Sequence, residues 1–79
     1  MKHEVIIYTT PTCSWCQALK EYLRAREIEF EEIDVSADPA AAQEMIDKSG
    51  QMGTPVVDID GEIIVGFNKP EIDQLLELN

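Results

Sequence analysis

Positive charge is scarce in this chain: 79 residues carry 6 Lys and Arg against 16 Asp and Glu, a formal net charge of −10. A surface this acidic repels phosphate backbones and anionic bilayers, so neither nucleic acid nor membrane is an expected partner. A partner with a basic docking face suits it, although acidity also serves simply to keep a small protein in solution. Long apolar runs are missing too. Val5-Ile6-Ile7-Tyr8, directly after Met1-Lys2-His3-Glu4, is far too short for a signal core or a membrane span, and a cytoplasmic location is expected. Internal repeats, linkers and low-complexity tracts are absent, as are metal-binding carboxylate spacings, phosphate-cradling glycine loops and basic nucleic-acid patches.

What remains is a pattern for one domain over residues 1–79, small enough that its core has little stability to spare. Val5–Tyr8 reads as a buried strand and Thr9-Thr10-Pro11-Thr12 as a loop shaped by Pro11. Helical spacing follows over 14–27, with Cys16, Leu19 and Leu23 at i, i+3 and i+7 and with Tyr22 and Arg26 beside that stripe. Alternation over 28–35 predicts a half-buried strand. Glu27, Glu29, Glu31 and Glu32 then form a solvated face. Asp38 and Pro39 start a second helix that presents Ala42, Met45 and Ile46 and ends at Gly50.

Asp60-Gly61 between the apolar runs 55–59 and 62–65 is a hairpin signal, with Asp58 expected to face solvent. Asn68 caps a last helix whose buried stripe is Ile72, Leu75 and Leu76. The predicted order is βαβαββα, an α/β fold with a four-stranded mixed sheet and three helices.

The chemistry lies in Cys13-Ser14-Trp15-Cys16. Cys13 ends the loop after the first strand, where unpaired first-turn N–H groups and the helix dipole favour a thiolate. Such positions lower a cysteine pKa from about 8.5 into the range of about 3.5–7.5. The i, i+3 spacing puts Cys16 on the same side, one turn deeper. Cys13 is therefore the expected nucleophile and Cys16 the thiol that resolves the mixed disulfide. Three other readings of the pair compete. A zinc site needs about four ligands, and His3 is the other strong candidate. A structural disulfide fits poorly in a reducing compartment. Inert buried thiols sit badly with the polar loop around Cys13. His3 is otherwise an ordinary surface histidine, and Asp34 a structural residue.

With these residues placed, the chain resembles the glutaredoxin family of the thioredoxin superfamily. The resemblance rests on Ile7-Tyr8-Thr9 leading to Thr12-Cys13-Ser14-Trp15-Cys16, on Glu32-Ile33-Asp34-Val35 and Ser49-Gly50, and on Thr54-Pro55, Ile59-Asp60-Gly61 and Val65-Gly66-Phe67. It implies a thioredoxin-like fold and reduction of protein disulfides. It also implies a cis Pro55 beside the cysteines and a Thr54 backbone that pairs with the substrate's extended segment. Trp15, Thr54, Pro55, Gly66 and Phe67 are the substrate-binding positions expected on this basis, with Trp15 standing where glutaredoxins often have Tyr.

The resemblance also bears on the electron donor. Glutathione-using members commonly have Lys three residues before the first cysteine, and an acidic pair at the start of the last helix. This chain has Thr10 and Asn68-Lys69 there. Weak glutathione binding is expected, helped at most by Lys69 and the N–H groups beyond Asn68. Gly66-Phe67 is more similar to redoxins recharged by a flavin-dependent thioredoxin reductase, although in those Pro follows closely, whereas here Asn68-Lys69 precedes Pro70. A glutathione-dependent enzyme and a glutathione-ligated iron–sulfur carrier are the alternatives. The expectation is a monomer that needs no cofactor beyond its own Cys13–Cys16 disulfide and no metal.

Overall fold

In a computed structural model, which describes residues 3–51 and 53–76, the chain runs β1 (Val5–Thr9), α1 (Ser14–Ala25), β2 (Glu31–Asp34), α2 (Pro39–Ser49), β3 (Val56–Ile59), β4 (Glu62–Val65) and α3 (Lys69–Leu76). The sheet order is β2-β1-β3-β4. β1 pairs parallel with β2 and antiparallel with β3, and β3 pairs antiparallel with β4. This is the expected βαβαββα thioredoxin-like fold. Met1 and Lys2, which precede the short apolar run at the N-terminus, lie outside the described residues. Among the described residues no helix is long and apolar enough to cross a membrane.

Period-2 alternation divides the apolar residues between the two faces of the sheet. Val5, Ile7, Val57, Ile59 and Ile64 meet Leu19 and Leu23 of α1 and Ile72 and Leu76 of α3 in the larger core cluster. Tyr8 and Val56 meet Met45 of α2 on the other side, with Ile6, Ile33, Val35 and Ile63 packed around them. β1 and β3 are central and take apolar residues on both faces, which is why they read as nearly continuous hydrophobic runs.

The caps of α2 follow the sequence. Asp38 accepts from the amides of Ala40 and Ala41, Pro39 opens the helix, and Gly50 closes it in the left-handed region at φ 77°. The hairpin turns at Asp60 (φ 51°) and Gly61 (φ 92°), the two positive φ values of a two-residue turn.

Three expectations need correction. α1 stops at Ala25, because Glu27 adopts φ 57° and the chain reverses. The Glu27 amide donates to the Arg24 carbonyl, and the Ile28 amide to the Leu23 carbonyl. This is a Schellman end made without glycine, and it carries no compositional signal. The second correction follows from the first. Residues 28–30 are spent on the reversal, Ile28 and Phe30 pack against the core cluster, and the strand is only Glu31–Asp34. Glu27, Glu29, Glu31 and Glu32 are exposed as expected, and Glu32 also pairs with the buried Lys20 at 2.9 Å.

The third correction is Asp58, which is 9% exposed rather than solvent-facing. One of its carboxylate oxygens accepts from Lys48 Nζ at 2.9 Å and the other from the Gly61 amide at 2.9 Å. A carboxylate so partnered can be buried without stranding its charge.

Candidate active site

Cys13 is the N-cap of α1. Its φ and ψ of −86° and 108° are extended, and its Sγ accepts from the Cys16 amide at 3.2 Å. A helix start leaves its first N–H groups without carbonyl partners. Sulfur here takes the place usually held by a Ser or Asp oxygen. The loop is closed from both sides: the Cys13 amide donates to the Thr10 carbonyl and the Gln17 amide to the Cys13 carbonyl, each at 3.3 Å. Both thiols are free; Cys13 is partly exposed, whereas Cys16 is fully buried.

The surroundings push the two thiols in opposite directions. Burial alone raises the Cys13 pKa. Hydrogen bonds from the Cys16 thiol, the Thr54 hydroxyl and the Cys16 and Trp15 amides outweigh it, so the net shift is down from the ordinary cysteine value. At Cys16, burial and the contact with Cys13 dominate, and the pKa rises despite the Thr9 hydroxyl, the Thr10 backbone and the Thr54 hydroxyl. One thiol is thus poised to ionise while its neighbour keeps its proton.

Two contributions here go beyond the sequence reading. Thr54 is expected to act through its backbone, yet its hydroxyl also favours the ionised form of both thiols. Thr9, expected at the start of a loop, closes β1, is 2% exposed and donates to the Thr10 carbonyl at 3.3 Å. The signal available for Thr9 was a hydroxyl at the end of an apolar strand one loop before the cysteines.

Beside the cysteines lies a shallow groove of about 230 Å³ lined by Trp15, Thr54, Pro55, Gly66 and Phe67. These five residues come from α1, the cis Thr54–Pro55 junction before β3 and the turn after β4. The Gly66 amide donates to the Pro55 carbonyl at 2.8 Å, which fastens the turn to the proline segment. Gly66 has φ 78°, a conformation that strains other residues. Pro55 is buried under the groove, and Trp15 is 65% exposed at its rim. An exposed indole is unusual for a small domain and offers a large apolar face to a partner.

The remaining candidates lie elsewhere. His3 Nδ1 is 2.5 Å from an Asp60 carboxylate oxygen at the β3–β4 turn. Asp34 accepts from the Ser36 amide and hydroxyl in a tight turn, a structural role. Pro11 is exposed in the loop. Among the described residues no group of three or more His, Cys, Asp or Glu is placed to hold a metal ion.

A reactive pair at a helix start, one cis-proline away from an apolar groove, defines a thiol–disulfide redoxin site. The glutaredoxin family pattern matches residues 5–64. A glutaredoxin-like 8.6 kDa protein of the rubredoxin operon of Clostridium pasteurianum is 54% identical over 71 residues, covering 90% of this chain and 95% of that one. Among solved structures, the thioredoxin-like protein BC3987 is similar with a TM-score of 0.83 and 37% identity, covering 90% of this chain and 97% of its own. The NrdH-redoxin of Escherichia coli gives 0.78 and 30%, covering 96% and 95%. The chain belongs to the glutaredoxin family and is a glutaredoxin-like thiol–disulfide oxidoreductase.

Proposed function

We propose that the protein reduces protein disulfides through Cys13 and Cys16 and is recharged by a flavin-dependent thioredoxin reductase. The observation that carries the thiol roles is the asymmetry of the pair: a partly exposed Cys13 with a lowered pKa over a buried Cys16 with a raised one. The Cys13 thiolate attacks one sulfur of the substrate disulfide. That S–S bond breaks, and the departing sulfur leaves as a thiolate that takes up a proton. A new bond joins Cys13 to the other substrate sulfur. Cys16 then loses its proton and attacks Cys13 Sγ, releasing the second substrate thiol and closing Cys13–Cys16. Two electrons have passed to the substrate, and two must come back from the reductase.

Thr54, Pro55 and Phe67 hold the substrate chain in the groove, where the Thr54 backbone pairs with an extended segment and Trp15 packs over it. The choice of donor rests on Thr10 and on Gly66-Phe67-Asn68-Lys69, which supply neither an upstream lysine nor an acidic pair for glutathione. It agrees with the thioredoxin-like activity profile ascribed to the Escherichia coli NrdH-redoxin. The test is to give the oxidised protein NADPH with thioredoxin reductase, and separately NADPH with glutathione and glutathione reductase. Rapid NADPH oxidation is expected in the first mixture. Rapid oxidation only in the second overturns the donor and establishes the glutathione-dependent alternative.

A further inference from the structure

Phe67 forms one wall of the groove, yet it sits on the short turn between β4 and α3, next to a glycine and without backbone pairing of its own. Something must keep its ring in place. The ring meets Tyr22 edge-on, with centroids 5.4 Å apart and planes inclined by 66°. Tyr22 is itself held on several sides. Its hydroxyl donates to Asp73 on α3. The Arg26 guanidinium lies 3.7 Å from its ring centroid and Lys69 Nζ lies 5.1 Å from it. Among the described residues, the ion pairs are those of His3, Lys20 and Lys48, so two of the chain's few cations are committed to one aromatic ring rather than to carboxylates.

We infer that Tyr22 is a positioning residue that sets the groove by holding Phe67. It stands on α1, the helix whose first turn carries the cysteines, and it reaches α3 through Asp73. A single side chain thus ties the nucleophile's helix to the wall against which the substrate chain lies. Its contribution falls on substrates that fill the groove, and the thiol chemistry is independent of it. The inference rests on the reading that the groove receives the substrate.

Trp15 is the only tryptophan and lies between the cysteines, so its fluorescence can follow oxidation of the pre-reduced protein directly. The measurement is single-turnover oxidation by excess disulfide, comparing a tryptophan-free peptide with one intrachain disulfide against 2-hydroxyethyl disulfide, which is too small to span the groove. Tyr22→Leu is expected to raise the half-saturating peptide concentration by about two- to tenfold, the scale of one aromatic edge contact. Its limiting rate and its rate with the small disulfide should stay within about twofold. Tyr22→Phe, which keeps the edge contact, should recover most of the loss. Combined with Phe67→Ala, Tyr22→Leu should add nothing further.

Equal losses on both disulfides, or additive effects of the two substitutions, overturn the role of Tyr22 while leaving the groove intact. If Phe67→Ala itself does not shift the peptide half-saturation, the groove reading fails and the inference about Tyr22 falls with it. Circular dichroism and a urea midpoint for each variant show whether a loss comes from unfolding. If Tyr22→Leu is unfolded, Tyr22→Met takes its place in the same comparison: a raised peptide half-saturation with an unchanged rate on the small disulfide supports the role, and an unchanged half-saturation overturns it.

Discussion

On the α2 face of the sheet, Tyr8, Glu44, Lys48 and Asp58 form a closed polar network. The Tyr8 hydroxyl donates to Glu44 at 2.6 Å, and Lys48 Nζ reaches the Tyr8 oxygen at 2.9 Å, Asp58 at 2.9 Å and Glu44 at 3.2 Å. At the start of α1, the sulfurs of Cys13 and Cys16 are surrounded by amides and hydroxyls instead. Among the described residues no buried side-chain nitrogen or oxygen lacks a partner in either region. They differ in what the partners reward. The network sets one ammonium, Lys48, between two carboxylates and the Tyr8 hydroxyl, so each donor meets an acceptor. The donors around Cys13 reward only the ionised sulfur. Stability needs the first arrangement and nucleophilicity the second, and the chain keeps them on different elements.

The sharpest break between the two regions is made by Cys13→Ser, which should lower disulfide reduction by more than about a thousandfold while leaving the urea midpoint nearly unchanged. Cys16→Ser should retain the first attack and accumulate a mixed disulfide, visible by mass spectrometry without reductant. Lys48→Met should do the reverse, keeping turnover near that of the parent. Retained activity in Cys13→Ser would remove the mechanism altogether.

Asp58→Ala tests the network from its buried side. Removing one member of a fully buried pair costs about 3–5 kcal/mol. The Lys48 side chain is 31% exposed and can turn to water, so about 1–3 kcal/mol is expected in urea unfolding. The pH dependence has a definite sign. Lys48 is raised above the ordinary lysine value, chiefly by the Tyr8 and Asp58 hydrogen bonds, and Tyr8 is raised, chiefly by burial. A group whose pKa is raised on folding stabilises fully below its unfolded pKa and loses that contribution as pH rises through the folded one. Stability should therefore fall above about pH 10, and less steeply in Lys48→Met.

The thiols predict a different pH behaviour. Alkylation of Cys13 by iodoacetamide, mapped by mass spectrometry, should set in at lower pH than that of a free cysteine, and Cys16 should remain unmodified over the same range. Equal labelling of both cysteines would erase the asymmetry on which their separate roles depend.

Much of this comparison could be read from residues alone, and the gaps have physical causes. Cys13 and Cys16, the Asp38-Pro39 and Gly50 caps and the Asp60-Gly61 turn each depend on local chemistry, which sequence spacing expresses directly. The site's groove was reachable through family resemblance, because nothing local joins Trp15 to Phe67. The α1 end was hidden by a left-handed Glu27 where glycine is usual. Asp58 was misplaced because its partner Lys48 lies ten residues earlier on another element, and alternation in a strand cannot report a cross-element ion pair. The Tyr22–Phe67–Asp73 brace was invisible for the same reason.

The smallest effects expected come from two glycines, one in each region. Gly50 ends α2 at φ 77° and Gly66 follows β4 at φ 78°, and neither would meet another atom within 4 Å if given a Cβ. Replacement by alanine therefore costs only the left-handed backbone, about 1–2 kcal/mol in each case. The two variants should lose similar stability in urea. They should separate in function, because Gly66 lines the groove and its amide holds the Pro55 carbonyl, whereas Gly50 touches neither. Gly66→Ala is expected to raise the half-saturating concentration of a peptide disulfide by about two- to threefold, and Gly50→Ala to leave it unchanged. If the two variants matched in function as well as in stability, the turn after β4 would be scaffold like the end of α2, and the groove would lose one of its walls.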